Sequence, residues 1–176
     1  MQKEELQHLS AAIRDVPDFP KPGILFKDIT PVLGNGELFV SAVRGLAETA
    51  HGESIDKVVG IDARGFIFGA AVSMVLEAGF VPIRKKGKLP WATEIESYCL
   101  EYGEAEIEIH KDAITKGEKV LVIDDLLATG GTAEAALKLI KSIGGQVVAV
   151  SFFIELSSLG GRERLADSRV ETILTY

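Results

Sequence analysis

The chain has 176 residues, 47% of them hydrophobic and 26% charged, with a formal net charge of −7. That length suits one domain with its own core, residues 1–176, and is short for two, and the composition excludes a disordered or fibrous class. Because Lys and Arg do not cluster, the acidic balance leaves no electrostatic footprint for nucleic acid.

Residues 4–14 read as a short helix, and V-P-D-F-P-K-P-G (16–23) then places three prolines and a glycine in eight positions. That composition predicts a rigid, extended connector. From Glu37 to Ala50 the apolar residues Leu38, Phe39, Val43, Leu46 and Ala47 recur at helical spacing. The order then becomes regular: a strand over 56–62, a largely buried helix from Gly65 to Ala78, and a strand over 80–85. Strands apolar on both faces belong inside a parallel sheet.

Residues 86–97, K-G-K-L-P-W-A-T-E-I-E-S, show no period and predict a long loop, of a length that is usually functional or disordered. A hairpin follows, S-Y-C-L-E-Y then E-A-E-I-E-I-H, whose second arm alternates glutamates with Ala105, Ile107 and Ile109. Those glutamates read as a solvated face. A second parallel unit comes next: a strand over 119–124, a helix over 132–143 ended by Gly144 and Gly145, and a strand over 146–155. A last helical turn and an edge strand close the chain. The N-terminal MQKEELQHLS lacks the basic, apolar, small order of a signal peptide, and the longest apolar run, Gly65 to Leu76, falls short of the roughly 20 residues of a membrane helix. With Cys99 as the single cysteine, no internal disulfide is available. The expectation is a cytoplasmic protein without a membrane span.

Chemistry concentrates in K-V-L-V-I-D-D-L-L-A-T-G-G-T (119–132). In open α/β sheets ligands bind outside the carboxyl ends of parallel strands, and Asp124 and Asp125 fall at such an end. Ala128, Thr129, Gly130, Gly131 and Thr132 supply glycines that let backbone N–H groups approach an anion, two hydroxyls, and a helix N-terminus behind them. The pattern is a monophosphate cradle. It is neither a G-K-[ST] phosphate loop nor a G-x-G-x-x-G dinucleotide fingerprint, since the chain contains neither. Carboxylates would repel the phosphate, so they must address a group beside it that donates hydrogen bonds, and vicinal ribose hydroxyls meet that requirement. The alternative is a cap cluster in an ordinary strand-to-helix turn.

This motif resembles the phosphoribosyl-pyrophosphate motif of the type I phosphoribosyltransferases. F-P-K-P-G-I-L-F-K-D-I-T-P (19–31), A-R-G-F-I-F-G (63–69), R-K-K-G-K-L-P (84–90), S-Y-C-L-E-Y-G (97–103) and I-E-L-S-S-L-G-G-R-E-R-L (154–165) resemble the adenine-using branch of that family, in order and over nearly the whole chain. The resemblance implies an α/β fold with a mostly parallel central sheet flanked by helices, a small N-terminal hood over about 1–35 and a flexible loop over about 86–97. It implies transfer of ribose 5-phosphate from 5-phosphoribosyl 1-pyrophosphate to adenine, giving AMP and pyrophosphate, with Mg²⁺ carried mainly by substrate and no direct protein ligand, in a homodimer.

Carried over residue by residue, the ribose phosphate falls to Asp124, Asp125 and Ala128–Thr132, with both acids also facing the cationic ribose of the transition state. Pyrophosphate falls to Ala63, Arg64, Arg84, Lys85 and Lys88, with a cis peptide placed at Asp62–Ala63 and the 86–97 loop as a lid. For Arg64 the plain alternative is a surface ion pair, and for the loop lysines simple solvation. Adenine falls to the Phe26 face and to backbone groups of Leu25 and Lys27, although Phe26 equally suits a core. Glu101 corresponds to the proton acceptor at adenine N7 and otherwise reads as one more strand glutamate facing water. The chain has L-P-W-A-T where some relatives have L-P-G-P-T, and Lys27 where others have arginine. Cys99 reads as packing, and His8, His51 and His110 have no metal spacing. A 6-oxopurine or orotate phosphoribosyltransferase, and a non-catalytic ligand sensor on the same fold, are the rival readings. The F-P-K-P-G-I-L-F-K-D-I-T segment speaks against the first and the lack of a DNA-reading module against the second.

Overall fold

The computed structural model describes the backbone of residues 1–100 and 103–176 and the side chains of 1–98 and 105–176. The chain divides into two compact units, Met1–Gly45 and Leu46–Tyr176.

In the first unit, helix α1 (Lys3–Ala12) starts at a capping box in which Glu5 Oε2 accepts the Gln2 N–H at 2.8 Å. Strands β1 (Arg14–Pro17) and β2 (Leu25–Asp28) pair antiparallel. The 16–23 segment is therefore the end of a strand and a hairpin loop, where an extended connector was expected. Gly23 takes φ +86°, its N–H donates to Asp18 Oδ1 at 2.7 Å, and the Phe19 N–H reaches Ile24 O at 3.2 Å, so the chain reverses within six residues. A short helix, α2 (Thr30–Leu33), and α3 (Gly36–Glu48) follow. Asn35 Oδ1 accepts the Glu37 and Leu38 N–H groups at 3.0 and 3.2 Å, which fixes the start of α3, and the boundary between the two units falls within this helix.

The second unit is built on a sheet made by β3 (Lys57–Ile61), β4 (Gly79–Lys85), β5 (Thr93–Leu100), β6 (Gly103–His110), β7 (Lys119–Leu127), β8 (Gln146–Glu155) and β9 (Val170–Thr175), with α4 (Gly65–Val75), α5 (Gly131–Ser142) and the single turn α6 (Gly161–Arg164) between them. The order is β5-β6-β4-β3-β7-β8-β9, parallel except where β6 pairs with β4 and β5. This is the expected α/β class. Val120, Leu121, Val122 and Ile123 have no exposed surface at all, as a strand covered on both faces requires. The connection leaving β3 runs to β4 on one side, and the connection leaving β7 runs to β8 on the other. Neighbouring β3 and β7 thus form a switch point, with a crevice outside their carboxyl ends.

Two boundaries differ from the sequence reading. Strand β5 begins at Thr93, paired with His110, so the segment expected as loop over 86–97 is a loop only to Ala92. Its T-E-I-E-S residues gain a partner strand that lies later in the chain. Strand β7 runs on to Leu127, because the ten-residue β8 continues to pair with it at Leu126 and Leu127. Both aspartates therefore sit within the strand's last four residues.

Close backbone approaches fix the loop after β7. A Cβ at Gly161 would collide with the Ala128 carbonyl oxygen and lie 2.8 Å from Leu127 Cδ1, while one at Gly130 would lie 2.8 Å from Gly161 O. Gly161→Ala should therefore cost about 1–3 kcal/mol as overpacking and lower the melting temperature by about 2–12 °C, at about 2–4 °C per kcal/mol for a chain of this length. Gly36→Ala, at a site with nothing within 4 Å and an ordinary φ, should be neutral or slightly stabilising in the same melt.

Candidate active site at the ends of strands β3 and β7

The apolar run Val120–Ile123 sets the depth at which Asp124 and Asp125 emerge, and both carboxyls reach the start of α4, close enough to act on one another. Asp124 lines a cavity of about 90 Å³ together with Ala128, Thr129, Gly130, Gly131 and Thr132. Asp125, 5% exposed, lies against Arg64, whose Nε is 2.9 Å from Asp125 Oδ2. The Asp125 N–H also donates to Asp124 Oδ1 at 2.8 Å. Burial first, and the Asp125 charge second, push the Asp124 carboxyl well above the usual carboxylate range. Burial also raises Asp125, with Arg64 opposing it.

The cradle has the elements a small anion needs. Gly130 takes φ +80°, which opens the turn, and α5 begins at Gly131, so its first N–H groups and dipole face the loop. At about 90 Å³ the cavity is small, of a size that suits a compact group.

The second strand end adds cations. The Asp62–Ala63 bond is cis, at the place the resemblance gave. Arg64 caps α4 and Gly65 opens it. A Cβ on Gly65 would sit 2.8 Å from Asp124 Oδ1 and 2.9 Å from Ile123 O, so only glycine lets the helix come this close to the acid. One turn on, Gly69 lies against Gly60, with its notional Cβ 3.2 Å from the Gly60 Cα, and the helix rides directly on β3. Arg84 at the end of β4 donates from Nε to Asp62 Oδ2 and from Nη1 to Lys88 O, each at 3.2 Å, and its guanidinium lies 6.0 Å from the Phe66 ring centroid.

The structure thus brings Asp124 together with residues 128–132, joins Arg64 to Asp125, and joins Arg84 to the Lys88 backbone. Arg64 is an ion pair, as its plain alternative had it, but one made to a buried acid of the site. The side chains of Lys85 and Lys88 are exposed. Leu25, Phe26 and Lys27 form β2 of the first unit, where Phe26 packs edge-on against Phe19 at 5.2 Å between centroids and Lys27 Nζ pairs with Asp15 at 2.6 Å. Glu101 lies outside the described residues. Among the described residues, no group of three or more His, Cys, Asp or Glu is arranged to hold a metal ion.

Three residues escaped the sequence reading. Asp62 holds Arg84, and Gly65 makes room for Asp124; the R-G-F at a helix start was the available signal for the latter. Glu108 corrects the expectation of a solvated glutamate face. It is 3% exposed, its Oε1 accepts the Lys88 and Leu89 N–H groups at 2.9 and 2.8 Å, and its Oε2 accepts the Thr93 hydroxyl at 3.2 Å. The loop folds over it, which alternation within β6 cannot disclose. Burial raises its pKa, but the Leu89 and Lys88 N–H groups and the Thr93 hydroxyl outweigh that and hold it below the ordinary value.

Comparisons with known proteins agree with this geometry. Residues 32–174 match the family model described as the phosphoribosyl transferase domain. The adenine phosphoribosyltransferase of Myxococcus xanthus is 52% identical over 168 residues, 96% of this chain and 91% of that protein. The crystal structure of the enzyme of that name from Rhodothermus marinus superposes with a TM-score of 0.95 at 55% identity, covering 99% of this chain and 100% of the other. The Saccharomyces cerevisiae one, solved with adenine and an imino-altritol bisphosphate, gives 0.93 at 38% identity, covering 98% and 99%. With its cradle, its acid pair and this likeness over nearly its whole length, the chain belongs to the phosphoribosyltransferase family, among the adenine phosphoribosyltransferases.

Proposed function

We propose that the chain transfers ribose 5-phosphate from 5-phosphoribosyl 1-pyrophosphate to adenine, forming AMP and pyrophosphate. The observation that carries this is Asp124 on the wall of the same small cavity as the Ala128–Thr132 cradle. An anion-binding loop with a carboxyl at its edge suits a sugar phosphate, with the phosphate on the N–H groups and the ribose hydroxyls on the acid.

In the reaction the bond between the ribose anomeric carbon and the pyrophosphate oxygen breaks, and the oxygen leaves with the electron pair. Adenine N9 forms the new bond to that carbon. Positive charge gathers on the ribose between these events, and negative charge beside it lowers the barrier more than it stabilises the ground state. Asp124 and Asp125 serve there. Ala128, Thr129, Gly130, Gly131 and Thr132 hold the phosphate, and Ala63, Arg64, Arg84, Lys85 and Lys88 receive the pyrophosphate. Arg64 then exchanges part of its hold on Asp125 for substrate oxygens. Adenine is read by the Phe26 face, braced by Phe19, and by backbone groups of Leu25 and Lys27. The ion pair that occupies the Lys27 ammonium fits a backbone-only role. Glu101 takes the proton from adenine N7, a role carried by the resemblance. Mg²⁺, generally required in this family, would supply positive charge to the pyrophosphate oxygens, and since no described group of three or more acids or histidines is arranged to hold a metal, a hard cation would stay mainly on substrate oxygens and water, with Asp124 and Asp125 the nearest acids.

The second copy of a homodimer is proposed to cover α4. Its outer stripe, Ile67, Ala70, Met74 and Val75, is apolar and exposed, with Met74 at 82%, although the helix has no charged residue on any side. Helices apolar all round are normally buried. Among the described residues no helix is long and apolar enough to cross a membrane.

Three measurements test these readings. Given Mg²⁺ and 5-phosphoribosyl 1-pyrophosphate, the protein should form AMP from adenine and little product from hypoxanthine, guanine, xanthine or orotate; preference for any of the others refutes the assignment. Asp124→Asn keeps an oxygen for the Asp125 N–H while removing the charge, and should lower kcat about 10²–10³-fold. Because the folded-state pKa of Asp124 is raised, its ionised form costs stability above the ordinary value of about 4 and nothing below it. The same variant should therefore melt higher at neutral pH, by about 2–4 °C per kcal/mol relieved, with the gain vanishing towards pH 3–4. Finally, light scattering should give about twice the 18.9 kDa chain mass, and Met74→Lys should return it to one chain.

A further inference from the structure

We infer that Glu108 is a positioning residue for the reaction: it pins the first half of the 86–92 loop, so that the Lys88 peptide and the Asp62–Arg64 loop are held as one unit and the Pro90–Trp91 tip is left to move. This rests on the pyrophosphate role proposed above for Arg64, Arg84 and Lys88.

The Lys88 residue is gripped on both sides. Its N–H donates to Glu108 Oε1 at 2.9 Å and its carbonyl accepts from Arg84 Nη1 at 3.2 Å. Glu108 and Arg84 are themselves cross-strand partners in the β4–β6 pairing, so the two grips come from one rigid piece of sheet. Arg84 carries the connection onward to Asp62 at 3.2 Å, directly before the cis bond and Arg64. Leu89 and Thr93 complete the anchoring of Glu108, at 2.8 and 3.2 Å. Between those two anchors the Ala92 carbonyl is itself held by the Lys111 N–H at 3.0 Å, which leaves Pro90 and Trp91, the latter 72% exposed.

A buried carboxylate with two backbone donors and a hydroxyl orders a loop more firmly than solvated lysines can order themselves, because removing it takes the acceptor from the Leu89 N–H and the Thr93 hydroxyl and leaves the Lys88 N–H with only its longer bond to Lys85 O, at 3.2 Å. Its effect on chemistry is indirect. It presents cations to a leaving group of several charges, so its loss should be felt by 5-phosphoribosyl 1-pyrophosphate and not by the base.

Trp91 is the sole tryptophan of the chain, so its fluorescence reads the loop without reference to activity. In Glu108→Ala the fluorescence anisotropy should fall, and KM for 5-phosphoribosyl 1-pyrophosphate should rise about tenfold with KM for adenine within twofold of wild type. Glu108→Gln, which keeps an acceptor for the two N–H groups, should recover most of both changes. Should the alanine variant not fold, the glutamine variant and Thr93→Val carry the test, each expected to move the same two readouts by a smaller factor. An unchanged KM for 5-phosphoribosyl 1-pyrophosphate, equal rises in both KM values, or unchanged anisotropy would overturn the inference. A wild-type protein that makes no AMP refutes the proposed activity instead, while the anisotropy comparison still decides whether Glu108 holds the loop.

Discussion

Two carboxyls on consecutive residues, buried at the end of a strand, are the constraint from which the site is built. Neither is comfortable there, since each is stripped of water and Asp124 also faces the charge of Asp125. Asp125 is balanced by Arg64 at 2.9 Å. That contact demands that the start of α4 reach the end of β7, which a parallel sheet allows only if β3 and β7 are neighbours. It further demands a helix with no side chain at Gly65 and a close fit of Gly69 on Gly60. Strand order, glycine placement and the ion pair thus follow from one electrostatic problem.

Much of this was legible in the chain. The run V-L-V-I-D-D-L-L-A-T-G-G-T announced strand, acids, loop and helix, because apolar continuity, glycine and helix initiation are local properties. Gly144, at φ +93°, ends the region of α5 as its composition indicated. What failed depended on partners distant in sequence. T-E-I-E-S lacks a strand's signature until β6 pairs with it, and the proline-rich 16–23 segment reads as a spacer until β1 and β2 are seen to pair across it. Glu108 failed for the same reason, since its donors lie 15–20 residues earlier and only the folded loop brings them over it. For Arg64 the resemblance implies a pyrophosphate role, but its ion pair with Asp125, 61 positions later, is set by the fold and leaves no local signal.

Glu108 and Asp124 show how two partly or wholly buried carboxyls come to opposite states. Burial acts on both. Glu108 is given a fixed set of donors and stays ionised below its ordinary pKa, as suits an anchor whose interactions are complete. Asp124 accepts the neighbouring peptide N–H and faces another acid, and burial outweighs what that N–H and the Arg64 charge return to its ionised form. Glu108 thus serves structure, while Asp124 lies on the wall of the small cavity to which the sugar phosphate is proposed to bind. In the proposed reaction the ribose hydroxyls add donors to Asp124, and the developing positive charge supplies a counter-charge. The protein accepts an unstable carboxyl in its resting state because the same deficit is relieved most fully at the transition state.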